Sequence, residues 1–178
     1  AAWQATAGTL IAHFSPEPDL EQVRLVLDRM DDYDKEVPGR HAIFWLGISG
    51  IATPEVRDGL LAVFRSHEDQ KVHQAAVEAL ALLGFEDARA EIAEVLSGDV
   101  EVGEWDLTDN EQVWYLIHAL ALLGEPELSS HMPDADMRMR SKVEDLIAFH
   151  ESGELPQYSA VALQKLEKNR AKLAKKRR

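Results

Sequence analysis

Trp45-Leu46-Gly47-Ile48-Ser49-Gly50, Ala79-Leu80-Ala81-Leu82-Leu83-Gly84 and Ala119-Leu120-Ala121-Leu122-Leu123-Gly124 are three versions of one hexapeptide. Each runs small and apolar and stops at a glycine. The closing glycines are 34 and then 40 residues apart. A glycine after an apolar periodic run suits the left-handed C′ position that ends a helix and turns the chain back. Gly47, Ala81 and Ala121 are small enough for a neighbouring helix to come close, and Leu46, Leu80 and Leu120 are placed to fill the space between. A unit of 30–45 residues with two helices predicts an all-α chain built as a helical solenoid.

Outward from these runs, apolar residues recur at three and four positions rather than alternating, which is helical spacing. Leu20, Val23, Leu27 and Met30 form one stripe, with Glu21, Arg24 and Asp28 off it. Thr53-Pro54 offers an N-cap followed by proline at the first helical position, where a missing N–H costs nothing. Thr108-Asp109-Asn110-Glu111 has the spacing of a capping box. The pattern predicts helices over 3–14, 19–31, 39–52, 54–66, 69–83, 86–97, 109–123, 126–131, 134–151 and 158–176. Residues 1–155 form the repeat domain, with its clearest units at 39–66, 69–98 and 109–132, and residues 156–178 form a basic helix or tail.

The hexapeptide resembles the HEAT-like repeat family of the phycobilin-lyase type. The first helix of that unit closes on Ala-Leu-Gly-x-Leu-Gly, and the second opens on Asp-Pro-Glu or a relative of it. Thr53-Pro54-Glu55, Glu86-Asp87-Ala88 and Glu125-Pro126-Glu127 stand in the opening place. The resemblance covers residues 39–132 well and the flanks poorly, and the middle glycine is alanine in two units. It implies a right-handed superhelix whose second helices line the concave face. Here that face would carry Arg57, Asp58, Leu61, Arg65, Arg89, Glu91 and Glu94.

The chain has 178 residues, 46% of them hydrophobic and 29% charged, which is globular composition. With no cysteine, disulfide scaffolds, thiolate zinc sites and thiol nucleophiles are excluded. The formal net charge of -13 is unevenly spread. Residues 164–178 hold eight bases and one acid, a charge of +7, which leaves 11 bases and 31 acids, or -20, on residues 1–163. Phosphate repels a body so charged, whereas the tail can behave oppositely. No apolar run approaches the roughly 20 residues of a membrane span. The N-terminal stretch lacks the basic region of a signal peptide. A cytoplasmic protein is expected.

Against a 34-residue unit, the second spacing holds six extra residues, which fall within Gly98-Asp99-Val100-Glu101-Val102-Gly103-Glu104-Trp105-Asp106-Leu107. Residues 99–111 contain six acids and no base, and residues 86–136 contain fourteen acids and one base, Arg89. Two readings stay open. In one, Trp105 and the acids around it dock a basic partner, tryptophan being common at the centre of interfaces. In the other, Trp105 folds back and seals the end of a unit. The spacing does not match an EF-hand calcium loop.

No catalytic constellation stands out. The HEAT-like relatives similar to deoxyhypusine hydroxylase bind iron through His-Glu pairs about ten residues before the closing glycine. Those places here hold Arg40-His41, Gln74-Ala75 and Trp114-Tyr115. The HEAT-like alkylpurine glycosylases need a basic groove, and Trp45 and Trp114 sit at core spacing in an acidic body. The seven histidines are scattered singly, His118 among Leu116, Ile117, Leu120 and Leu122. Serine elbows, phosphate-binding glycine loops and dinucleotide fingerprints are missing. A non-enzyme with no cofactor and no metal is expected.

In the tail, Val161, Leu163, Leu166 and Leu173 form a thin apolar strip among bases. It can cap the last unit, fold onto the acidic body, or bind phosphate of nucleic acid or lipid through Lys165, Lys168, Arg170, Lys172, Lys175, Lys176, Arg177 and Arg178. The expected function is a protein-binding module or adaptor that takes a basic protein. Its contact set would be Arg57, Asp58, Arg65, Arg89, Glu91, Glu94, Asp99, Glu101, Glu104, Trp105, Asp106 and Asp109. An antidote to a basic toxin and a subunit of a larger assembly both suit that chemistry. A nucleic-acid-associated factor working through the tail and a degenerate HEAT-like enzyme are the alternatives.

Overall fold

The structure is a computed structural model, which describes residues 20–28, 37–66, 70–97, 110–125, 128, 144–145, 147–148, 152 and 157–176. Among the described residues it is all-helical and contains no strand. Seven helices follow in chain order: α1 Leu20–Leu27, α2 Val37–Ser49, α3 Pro54–Ser66, α4 Gln70–Leu83, α5 Ala88–Ser97, α6 Asn110–Leu122 and α7 Gln157–Lys176. The expected helix over 3–14 and most of those over 126–131 and 134–151 lie outside the described residues.

Sequence explains where these helices start and stop. Thr53 Oγ1 accepts from the Val56 N–H at 3.3 Å, so the threonine caps α3 with Pro54 at its first position. Gly50, Gly84 and Gly124 have φ of 78°, 78° and 72°, the left-handed conformation that a β-carbon disfavours. After α4 the Phe85 N–H bonds to the Leu80 carbonyl at 3.2 Å and the Gly84 N–H to Ala81 at 3.1 Å. After α6, Glu125 bonds to Leu120 at 3.0 Å and Gly124 to Ala121 at 3.1 Å. Both ends are Schellman motifs. After α2 a side chain mediates the same link: Ser49 Oγ donates to the Leu46 carbonyl at 2.7 Å and accepts from the Ile51 N–H at 3.1 Å.

Packing centres on α4. Every residue from Val72 to Leu83 is buried, as a helix apolar nearly all round requires. It packs against α2 on one side and α6 on the other, with α3, α5 and α7 also against it. A β-carbon built on Gly47 would come within 2.8 Å of the Ala79 Cα, so α2 and α4 meet closely there. Leu46, Leu80 and Leu120 are fully buried. On α3 the stripe Val56, Leu60, Val63 and Phe64 faces inward at helical spacing. Leu61 is buried beside it rather than lining a surface, because it lies on the edge of this stripe.

The basic tail is a docked helix. α7 packs on α2 and α4 through Ala162 and Leu166, both buried, with Leu163 and Leu173 partly so. Val161 is 47% exposed and leaves the expected apolar strip, replaced there by Ala162. Asn169 Nδ2 donates to the Ile48 carbonyl at 2.7 Å, and Arg170 donates to the Leu83 carbonyl at 3.2 Å. These are carbonyls at helix ends that have no intrahelical partner, so two adjacent residues of α7 cap the C-termini of α2 and α4.

Candidate functional site

The described residues of the expected contact set lie on α3 and α5. Its arginines are engaged with carboxylates of the following segment. Arg57 reaches Asp87 at 2.8 Å and Asp58 at 2.8 Å. Arg65 makes a two-pronged pair with Glu91, at 2.5 and 2.7 Å. Arg89 lies 3.5 Å from Glu125. Earlier in the chain, Arg24 of α1 pairs with Glu55 of α3 at 3.2 Å. Arg24, Arg57 and Arg89 are 33 and 32 residues apart, and each pairs with an acid further along the chain, Glu55, Asp87 and Glu125.

Hydrogen bonding to Asp58, then the field of Asp58 and contact with Asp87, hold the Arg57 guanidinium above its ordinary pKa. Hydrogen bonding to Glu91 does the same for Arg65. With the arginines engaged in this way, Asp58, Glu86, Asp87 and Glu94 remain exposed, and Glu91 is half-buried. The surface therefore presents a surplus of carboxylate on a fixed frame. Asp99, Glu101, Glu104, Trp105, Asp106 and Asp109 lie outside the described residues, as do Arg177 and Arg178.

On α7, Lys165, Lys168, Lys175 and Lys176 are exposed and Lys172 is half-buried. Arg170 differs from them: it lies over Gly50, its Cγ 3.0 Å from where a β-carbon there would sit, and one of its N–H groups goes to Leu83.

A second polar cluster lies where α2, α4 and α6 come together. Arg40 of α2 donates to the Tyr115 hydroxyl of α6 at 3.3 Å. Glu78 of α4 is 6% exposed, and its Oε1 is buried without a hydrogen-bond partner, as is Oε1 of Gln74 one turn earlier. Burial pushes the Glu78 carboxyl up to about 7, against an opposing pull from Arg40. His118 is fully buried and stacks on Trp114, ring centroids 4.8 Å apart and planes 18° from parallel. Tyr115 meets Trp114 edge-on at 5.0 Å. Arg40, Gln74 and Trp114-Tyr115 occupy the positions ten residues before the closing glycines, and the structure brings Arg40 and Tyr115 of this set together. Sequence reasoning examined these positions only for metal ligands. The signal it passed over was Glu78 itself, an acid amid Val77, Ala79 and Leu80.

Among the described residues no three His, Asp or Glu side chains are grouped to hold a metal ion. No helix among them is long and apolar enough to cross a membrane. No family model matches the chain, and no curated protein or solved structure matches it either.

Proposed function

We propose that the chain is a HEAT-like α-solenoid that works as a non-catalytic docking module and takes a basic protein on its carboxylate-rich side. The observation that carries this reading is the ladder from Arg24 to Glu125, in which each arginine is matched by an acid of the next unit. The ladder keeps successive second helices in register and leaves the remaining acids facing solvent. A rigid array of carboxylates favours a partner of opposite charge and raises its rate of encounter. Residues 98–109 add five more acids and Trp105 to the chain between α5 and α6. The closing glycines, the packing of α4 between α2 and α6, and the ladder's period support the solenoid reading.

The test is affinity purification from the native cell with wild type and with a variant carrying amides at Glu86, Glu94, Asp99, Glu101, Glu104 and Asp106 together with Trp105→Ala. Proteins enriched by wild type and lost with the variant are expected to be basic, and their recovery should fall as salt is raised. Equal recovery by both proteins at low salt overturns the reading.

A further inference from the structure

The docked tail helix sorts its own charges. At 100° per residue, Ala162, Leu166, Asn169, Arg170 and Leu173 fall on the side that meets α2 and α4. Lys165, Lys168, Lys172, Lys175 and Lys176 fall together in one arc of about 100° that borders that side without overlapping it, and Glu167, the one acid of the helix, lies off the arc. Lys165 and Lys175 are ten residues apart, about 15 Å along the axis. A nucleic-acid duplex offers roughly one negative charge per 1.7 Å of its axis. We propose that this lysine stripe is a contact surface for the phosphate backbone of nucleic acid, engaged without regard to base sequence.

Three observations point to nucleic acid rather than a lipid surface or a base-reading site. A helix that lies in a membrane interface buries its apolar side there, and the apolar side of α7 is already spent on α2 and α4. Base recognition favours the planar fork of arginine, and Arg170, the one arginine within α7, bonds to the body instead. Lysines are mobile point charges, suited to a backbone and poor at reading bases. The helices that bear the arginine–carboxylate ladder, α1, α3 and α5, are not those on which α7 chiefly packs. The lysine stripe and the carboxylate-rich side are thus carried by different helices. The proposal is independent of what the carboxylate side binds.

The experiment uses the full chain and a fluorescein-labelled 20-base-pair DNA duplex, with binding read by anisotropy. About four phosphate contacts give a log–log salt slope of about -3.6, a loss of affinity of about a hundredfold between 50 and 200 mM salt. Gln at Lys165, Lys168, Lys172 and Lys175 should weaken binding at least tenfold and flatten the slope, with helix content retained. The milder pair Lys168→Gln and Lys175→Gln, at two exposed sites, should lose about half of the slope. Vesicles of phosphatidylserine and phosphatidylcholine should bind more weakly than the duplex. Absence of duplex binding at 25 mM salt, equal binding by the quadruple variant, or tighter binding to the vesicles would each overturn the proposal.

Discussion

Gly47 and Ala79 meet where α2 crosses α4, so closely that a β-carbon on the glycine would sit 2.8 Å from the alanine's Cα. Backbone cannot yield as a flexible side-chain tip can. Gly47→Ala should therefore destabilise by about 1–3 kcal/mol through overpacking, despite alanine's better helix propensity. Urea unfolding checks it, and a more stable variant would show that the two helices can separate at no cost.

The three closing glycines should not respond alike to alanine. At Gly84 and Gly124 a β-carbon would meet nothing within 4 Å, so only the left-handed backbone is strained, at about 1–2 kcal/mol. Gly50→Ala adds a clash with Arg170 and should be the most destabilising of the three. Equal midpoints for all three variants would mean that α7 contributes nothing at that corner.

Ser49 is the place where a side chain stands in for a backbone bond. Ser49→Ala leaves the Ile51 N–H and the Leu46 carbonyl without the hydroxyl between them, at a cost of about 1–3 kcal/mol for buried groups left unmet. Ser49→Leu, which restores the residue found before Gly84, gives a second readout. If the direct 6→1 bond can form, it should recover part of the loss. Thermal melts of the two variants separate these contributions.

Glu78 makes stability depend on pH in the direction opposite to a salt-bridged acid. Its folded pKa of about 7 lies above the ordinary 4.5. Below pH 4.5 both folded and unfolded chains hold the proton, and the group's contribution to stability is fully present. As pH rises from there the unfolded chain releases the proton first, so that stability is lost until about pH 7 and then levels off. The full loss is about 3 kcal/mol at most. Glu78→Gln should match wild type near pH 4.5 and exceed it in melting temperature at pH 8. Removing the opposing pull with Arg40→Gln should carry the decline to higher pH. A constant gap between Glu78→Gln and wild type across this range would rule the linkage out.

Docking of α7 rests on one fully buried leucine and two polar caps. Leu166→Ala should cost about 2–5 kcal/mol and raise hydrogen exchange at the backbone amides of α7 before those of α4. Arg65→Gln, which removes an exposed pair with Glu91, should change stability by less than about 1 kcal/mol. The contrast tells packing from surface charge.

Much of this was legible in the chain. Helical periodicity and capping residues gave α3 and α4 nearly to the residue. The closing glycines are left-handed as their place after an apolar helical run predicts, whereas Gly47, inside α2, is not among the positive-φ glycines. The arginine ladder was not legible, since Arg57 and Asp87 meet only once the offset between neighbouring helices is known. Arg57, Arg65 and Arg89, which the sequence leaves open to a partner, pair with Asp87, Glu91 and Glu125. Arg170 read as one more base in a basic run, whereas its place beside Asn169 at two helix ends depends on where α7 lies. Leu61 and Val161 show the same limit: a stripe's edge is set by the neighbour that covers it.

The bond from Asn169 to Ile48 closes a loop of 121 residues, and that from Arg170 to Leu83 one of 87. The bond from Arg57 to Asp87 closes only 30. Chain entropy makes the longest loop dearer by about 1 kcal/mol, and the binding place for α7 exists only after α2 and α4 lie side by side with their ends level. Docking of α7 is therefore expected to follow the packing of α2 against α4. In native-state hydrogen exchange the seam along Gly50, where Arg170 lies, is accordingly expected to open before the middle of α4.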